Sequence, residues 1–211
     1  MIPVKVLAVR YLANASPALC RGLGAPQGYP ALGMLTTDCD DATYIALDAA
    51  TKAAEVEVAY GRSFYAGAAN ASTPNAGEVI GILAAQTPGA VRSGMEAALS
   101  ALQRLGFEEV QGVPYLAHTV SSVGSFLAKE AQVPRGTALA YLIAPPLEGM
   151  YAMDAALKAA DVELRKLYAP PSETNFGGGL LSGTQSACDA ACAAFAAAVT
   201  EVAGRPVEDR L

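Results

Sequence analysis

The sequence predicts an α+β chain made of two similar layered domains, each with helices packed against a mainly antiparallel sheet. Three observations carry that prediction. The decapeptide DAATKAAEVE at 48–57 returns as DAALKAADVE at 154–163, 106 residues later, with only Thr51/Leu157 and Glu55/Asp161 changed. A fixed-offset repeat of this kind marks one fold written twice. The 211 residues suffice for two units of about 100 residues each, near the usual domain size. Strand and helix patterns alternate in both halves without strict βαβ order.

The first half opens on residues 4–12, where Val4, Val6 and Ala8 alternate with Lys5 and Leu7, a strand pattern. Turn residues Gly22, Gly24, Pro26, Gly28 and Pro30 follow, then the apolar strand ALGMLTT at 31–37. A helix is expected from Asp41, which can cap free amides and suits the positive end of the dipole, to Ala54. Strand VEVAYGRSFYA at 56–66, the polar loop NASTPN at 70–75 and strand EVIGILAA at 78–85 come next. Pro88 starts a long helix that ends before Gly106, with proline inside the start and glycine past the end. Residues 106–114 read as the domain boundary.

The second half repeats this order. Strands are expected at 114–123 and at ALAYLIA (138–144), and a helix runs from Pro145-Pro146 to Ala160. Strand VELRKLYA (162–169), loop PPSETN (170–175) and a short strand near 179–181 precede a final helix from Gln185 to Ala203, stopped by Gly204 and Pro206. Along that helix Cys188, Cys192, Phe195, Val199 and Val202 form one apolar stripe, which marks the two cysteines as core residues.

Composition narrows the function. Hydrophobic residues make up 53% but aromatics only 7%, so the apolar content is largely small aliphatic side chains, suited to thin close-packed layers. No run of 18 uncharged apolar residues is present, and the N-terminus carries a lysine and an arginine inside its apolar stretch, so neither a membrane span nor a signal peptide is expected. A net charge of −6 without a basic cluster argues against nucleic-acid binding. Cys20, Cys39, Cys188 and Cys192 are scattered, and His118 is the one imidazole, so neither a metal site nor a cofactor is expected, and the thiols read as free in a reducing cytosol. The glycine run 177–179 lacks the spacing of a phosphate cradle, and His118 has no evident acid or nucleophile partner. Nothing here supports an enzyme.

DAALKAADVEL resembles the signature of bacterial microcompartment shell domains, in which an alanine-rich helix bearing a lysine turns directly into a strand. The stretches DCDDATYIALDAATKAAEVEVAYGRSFYAGAA, AGEVIGIL, LAYLIAPPLEGMYAMDAALKAADVEL, PPSETNF and SGTQSACDAAC are similar to the tandem shell proteins of ethanolamine utilisation. The resemblance covers nearly all of the chain from residue 31. It implies two circularly permuted, ferredoxin-like shell domains, at 1–108 and 109–211, and a homotrimer that forms a pseudohexameric tile. Such tiles join other shell proteins in an envelope around enzymes in the bacterial cytoplasm, with pores that pass small metabolites. Two homologous halves in a threefold ring give six similar edges.

The resemblance also assigns residues. Lys52 and Lys158 occupy one repeat position and correspond to the tile-edge lysine, against the plainer reading of solvated helix lysines. Asp40 and Glu78 correspond to the acidic residues of a small-pore site for ethanolamine, with Phe107 and Thr174 as further members. Two carboxylates would give a small ammonium charge-assisted hydrogen bonds. The plainer readings are a helix N-terminal carboxylate for Asp40 and a strand-start charge for Glu78. The chain departs from the family at residues 106–116, which are shorter, and at Ser122-Val123, where the family carries an Arg-Thr pair, so the central pore's aperture is left open. The alternative function is a soluble small-amine sensor or binding protein that does not tile.

Overall fold

The computed structural model describes residues 1–64, 78–170 and 176–207. Two compact units are present. The N-terminal unit holds Pro3–Gly106 and Val123–Lys129; the C-terminal unit holds Met1–Ile2, Phe107–Ser122 and Glu130–Leu211. Where a single boundary after residue 108 is expected, the units part between Gly106 and Phe107, and seven residues of the second half fold with the first.

The N-terminal unit contains β2 (Val6–Leu12), α1 (Pro17–Gly22), β3 (Ala31–Thr37), α2 (Asp40–Ala53), β4 (Glu57–Phe64), β5 (Glu78–Ala85) and α3 (Pro88–Leu102). Its four-stranded sheet has the order β2-β3-β5-β4, antiparallel throughout. The central strands β3 and β5 are buried on both faces, so they read as apolar runs, while edge strand β2 is largely exposed. On one face Leu32, Ile82 and Ala84 pack with Leu12, Leu23 and Tyr29. On the other, glycines let the helices approach. A Cβ on Gly33 would lie 2.7 Å from Val91 of α3, and one on Gly81 would lie 2.7 Å from Leu47 of α2. These strand glycines are contact points, which is why a strand pattern tolerates them.

Helix α2 begins one residue earlier than the cap reading places it. Cys39 is the N-cap without a side-chain cap bond, and Asp40 and Asp41 form the first turn. Helix α3 follows the predicted signature: the Thr87 hydroxyl accepts from Ala90 N–H at 3.2 Å and Pro88 follows it.

The C-terminal unit is built on a six-stranded sheet, β1-β6-β7-β8-β10-β9. Its strands are β1 (Ile2–Pro3), β6 (Gly106–Val110), β7 (Val113–Val120), β8 (Ala138–Ala144), β9 (Val162–Tyr168) and β10 (Gly177–Gly183). Helices α5 (Pro146–Ala159) and α6 (Gln185–Gly204) cover it. Ala140, Leu142, Ala152, Met153, Leu181 and the α6 stripe Cys188, Cys192, Phe195 and Val199 form one buried cluster. Helix α6 is long and apolar enough to cross a membrane by composition, but this stripe makes it a core helix.

The sequence reading missed four elements: β6, β1, α1 and the short helix at 125–131. Residues 106–114, expected to mark a boundary, fold as the hairpin of β6 and β7. Its two-residue turn places Gln111 and Gly112 at φ 51 and φ 81, as a tight hairpin turn requires. Strand β1 was not foreseen, nor was α4 (Ser125–Ala131), a seven-residue helix with no strong apolar period. Loop 70–75 lies outside the described residues.

Candidate functional site

The candidate site is built at the end of the N-terminal sheet where β3 leads into α2 and β5 begins. Asp40 and Asp41 occupy the first turn of α2, and Glu78 is the first residue of β5; the three are 4%, 6% and 6% exposed. Carboxylates this buried are rare unless paired. Among the described residues neither Asp40 nor Glu78 forms an ion pair with lysine or arginine.

Burial pushes the Asp40 carboxyl from 3.8 up to about 6, against hydrogen bonds from Ser63 and from the Asp41 amide that favour the charge. The Asp41 N–H donates to Asp40 Oδ1 at 2.9 Å. Ser63 Oγ lies 2.6 Å from the Tyr44 hydroxyl. A serine has one proton to give, so with Asp40 ionised Ser63 donates to the carboxylate and Tyr44 donates to Ser63. The Tyr44 ring is held by Phe126 of α4, with centroids 5.8 Å apart. Ser63 and Tyr44 escaped the sequence reading, although Tyr44 stands four residues after Asp40, a spacing that stacks side chains on a helix face.

Beneath the helix start, Thr37 Oγ1 and Thr43 Oγ1 lie 2.7 Å apart and 3.0 and 2.8 Å from the Cys39 carbonyl oxygen, so one hydroxyl donates to that carbonyl and the other donates to its neighbouring hydroxyl. Burial, with Asp41 and Asp40 nearby, holds the Cys39 thiol well above its usual range. This pinned turn fixes where Asp40 sits.

In register, Ser63 of β4 faces Val79 of β5, the residue after Glu78. The pleat therefore sends Ser63 toward α2 and Glu78 toward the face of Ile80 and Ile82. Asp40 and Glu78 share the end of the sheet without sharing a face. Phe107 belongs to the C-terminal unit, where it is fully buried and packs edge-on against Phe176 at 5.8 Å. Thr174 lies outside the described residues.

The repeat lysines occupy unlike surroundings. Lys52 Nζ lies 3.3 Å from the fully buried Asp48, whereas Lys158 pairs at 2.5 Å with an exposed Asp154 and is itself 75% exposed. His118 lies on β7, partly buried.

Two α+β units, each with this alanine-rich helix turning into a strand, define the class of bacterial microcompartment shell domains. Residues 31–114 match the family described as BMC domain. The microcompartment shell protein EutL of Clostridium perfringens (strain 13 / Type A) is 56% identical over 211 residues, covering 98% of this chain and 97% of that one. The crystal structure of ethanolamine utilization protein EutL from Leptotrichia buccalis C-1013-b superposes with a TM-score of 0.92 at 55% identity, over 98% of this chain and 97% of that one. A trimeric shell protein, PduB, shares the fold alone, with a TM-score of 0.81 at 18% identity over 96% of this chain and 91% of the other. The chain belongs to the EutL family of bacterial microcompartment shell proteins. Its fold is two tandem, circularly permuted shell domains, and it is a structural component of the shell within the bacterial cytoplasm.

Proposed function

We propose that this chain forms a homotrimeric, pseudohexameric tile of two shell domains, 1–108 and 109–211, whose small pores admit small ammonium metabolites such as ethanolamine. The role is structural and selective, not catalytic. The observation that carries the pore reading is the Asp40 carboxylate, buried without a cationic partner among the described residues and raised to about 6 by that burial. A small ammonium would relieve that desolvation and bind lightly enough to leave. Glu78, at the same end of the sheet but on its other face, is the second acid that the family resemblance assigns to such pores, with Phe107 and Thr174 as its further members.

The trimer is supported by the internal duplication and by the trimeric state of PduB, which shares the fold. Lys52 and Lys158 would meet neighbouring shell proteins at the tile edges. Titration calorimetry with ethanolamine tests the pore: binding by the native protein, lost in Asp40→Asn and weakened in Glu78→Gln, is expected. Equal heats from all three proteins would remove the site. Electron microscopy of purified protein tests tiling, since a soluble sensor would form no sheets.

A further inference from the structure

Asp41 is buried beside Asp40, and the ammonium reading gives it no task. The two acids open α2, 4% and 6% exposed, and their side chains are hydrogen-bonded to each other. Two carboxylates cannot share a hydrogen bond, because an ionised carboxyl only accepts, whereas a protonated one donates through its O–H. One proton therefore lies between Asp40 and Asp41.

The bonds around the pair decide which acid carries it. Burial raises the Asp40 carboxyl, while hydrogen bonds from Ser63, from the Asp41 backbone N–H and from the Asp41 side chain favour its charge. The backbone bond is 2.9 Å, and Ser63 is itself 2.6 Å from the Tyr44 hydroxyl. A side chain that stabilises the Asp40 charge by hydrogen bonding is the donor, so the proton belongs to Asp41.

The surroundings oppose a second charge. Among the described residues, the junction of β3 and α2 brings Asp38, Cys39 and Tyr44 to the pair, β4 adds the Ser63 hydroxyl, and Glu78 of β5 turns to the other face. The Cys39 thiol is held up by burial, then by Asp41, Asp40 and Asp38. The helix dipole supports an anion at this end, but a second one in the same buried turn meets both like charge and desolvation.

The internal repeat treats the group as a set. Asp40, Asp41, Tyr44 and Ser63 correspond to Pro146, Leu147, Met150 and Ala169, so the second copy lacks every member at once. Acids present only to start a helix have no reason to vanish together with a tyrosine and a strand serine.

We propose that Asp41 is a positioning residue of the ammonium recess: a carboxylic acid that keeps its proton at neutral pH and donates it to Asp40, the anion that meets the ligand. The pair then carries one negative charge, matched to one ammonium group rather than to a divalent cation or a diamine. Asp41 touches Asp40 and not the ligand; it fixes the direction of the Asp40 oxygens and the pH at which Asp40 ionises. The positioning role rests on the ammonium reading of this recess, whereas the protonation of Asp41 does not.

Asparagine and alanine at position 41 separate this role from that of a second anion. In the full chain at pH 7.5, Asp41→Asn is expected to bind ethanolamine within about threefold of the native affinity, since its amide N–H donates where the O–H did, whereas Asp41→Ala loses about tenfold. The pH of half-maximal binding should also rise in Asp41→Ala and stay in place in Asp41→Asn, because the bond withdrawn is one that lowers the Asp40 pKa. A loss above about tenfold in Asp41→Asn would mean that Asp41 acts as an anion, and native affinity in Asp41→Ala would mean that it positions nothing; either overturns the proposal. Infrared spectra at pH 7.5 without ligand give a reading independent of binding: the native chain should show the carbonyl band of a protonated carboxyl that Asp41→Asn removes. Spectra in which that substitution removes no such band overturn the proposal even where ethanolamine binds. The band without ethanolamine binding by the native chain would overturn the ammonium reading, and with it the positioning role, while upholding the acid pair.

Discussion

Asp48 Oδ2 accepts the Gly124 backbone N–H at 2.7 Å across 76 residues of sequence, and this bond ties a segment of the second half into the first unit. The same carboxylate takes the Leu127 N–H on its other oxygen and lies 3.3 Å from Lys52. Its repeat counterpart, Asp154, pairs with Lys158 alone among the described residues and is exposed. Nearly identical decapeptides thus do unlike work, and Thr51, one of their two differences, bonds the docked segment.

Gly124→Ala should destabilise the chain by about 1–3 kcal/mol, as overpacking does. The new Cβ would meet Thr51 Oγ1 at 2.2 Å and the Asp48 carbonyl, which cannot move aside, at 2.7 Å. Asp48→Ala should cost about 2–4 kcal/mol because it leaves two buried N–H groups without a partner. Urea midpoints check both. A Gly124→Ala midpoint equal to the native one would mean that the segment is not seated in solution.

The repeat, the central strands and the long helices were legible in the sequence because burial on one stripe or both faces leaves a period there. ALGMLTT and ALAYLIA fold as predicted, residue for residue. Helix α4 was not legible, since its place is set by Asp48 and Thr51, residues far away in sequence whose role no local pattern announces. The hairpin at 106–114 was hidden by its Gln-Gly turn, which lacks the Asn-Gly or Asp-Gly signal. At the candidate site Asp40 and Glu78 were named through resemblance, and the structure describes both as buried. Ser63, which bonds Asp40, was reachable only through the pairing of β4 with β5, whereas Tyr44, which bonds Ser63, stood in view four residues after Asp40 on the same helix.

Thiol chemistry should separate Cys20 from the other cysteines. Burial raises the Cys39 and Cys188 thiols and pushes Cys192 up to about 11, so these three stay protonated and shielded near neutral pH. Cys20 is half-buried. An aromatic disulfide reagent at pH 8 should release one equivalent from native protein and four after unfolding in guanidinium. Rapid release of more than one would contradict the packed α6 stripe.

The lysines should part in their effects. Lys52→Ala removes the cation beside a sealed carboxylate and should lower stability by about 1–2 kcal/mol, a charged-partner loss. Lys158→Ala touches an exposed pair worth under about 0.5 kcal/mol and should leave stability unchanged. If the tile-edge role holds, Lys158→Ala still weakens sheets seen by electron microscopy. Intact sheets in that variant would confine the edge role to Lys52.

Asp40 sets the last prediction, and its sign follows from the direction of the shift. The folded-state carboxyl is raised to about 6 from 3.8 by burial, so folding favours its protonated form. That contribution is fully present below about pH 4 and is lost as pH rises through about 6. In the empty protein at pH 7.5 the ionised Asp40 is therefore a cost, on the order of 3 kcal/mol, a figure that already includes its hydrogen bonds. Asp40→Asn should gain little at pH 4 and about that amount at pH 7.5, measured as the difference in unfolding free energy from the native chain at each pH. Ser63→Ala, which withdraws a hydrogen bond that lowers the Asp40 pKa, should move the window upward. A bound ammonium acts oppositely: saturating ethanolamine at pH 7.5 should recover stability in the native chain and none in Asp40→Asn. A difference between the two chains that stays flat from pH 4 to 7.5 would mean that Asp40 is solvated in solution, and the ammonium reading of this recess would lose its physical basis.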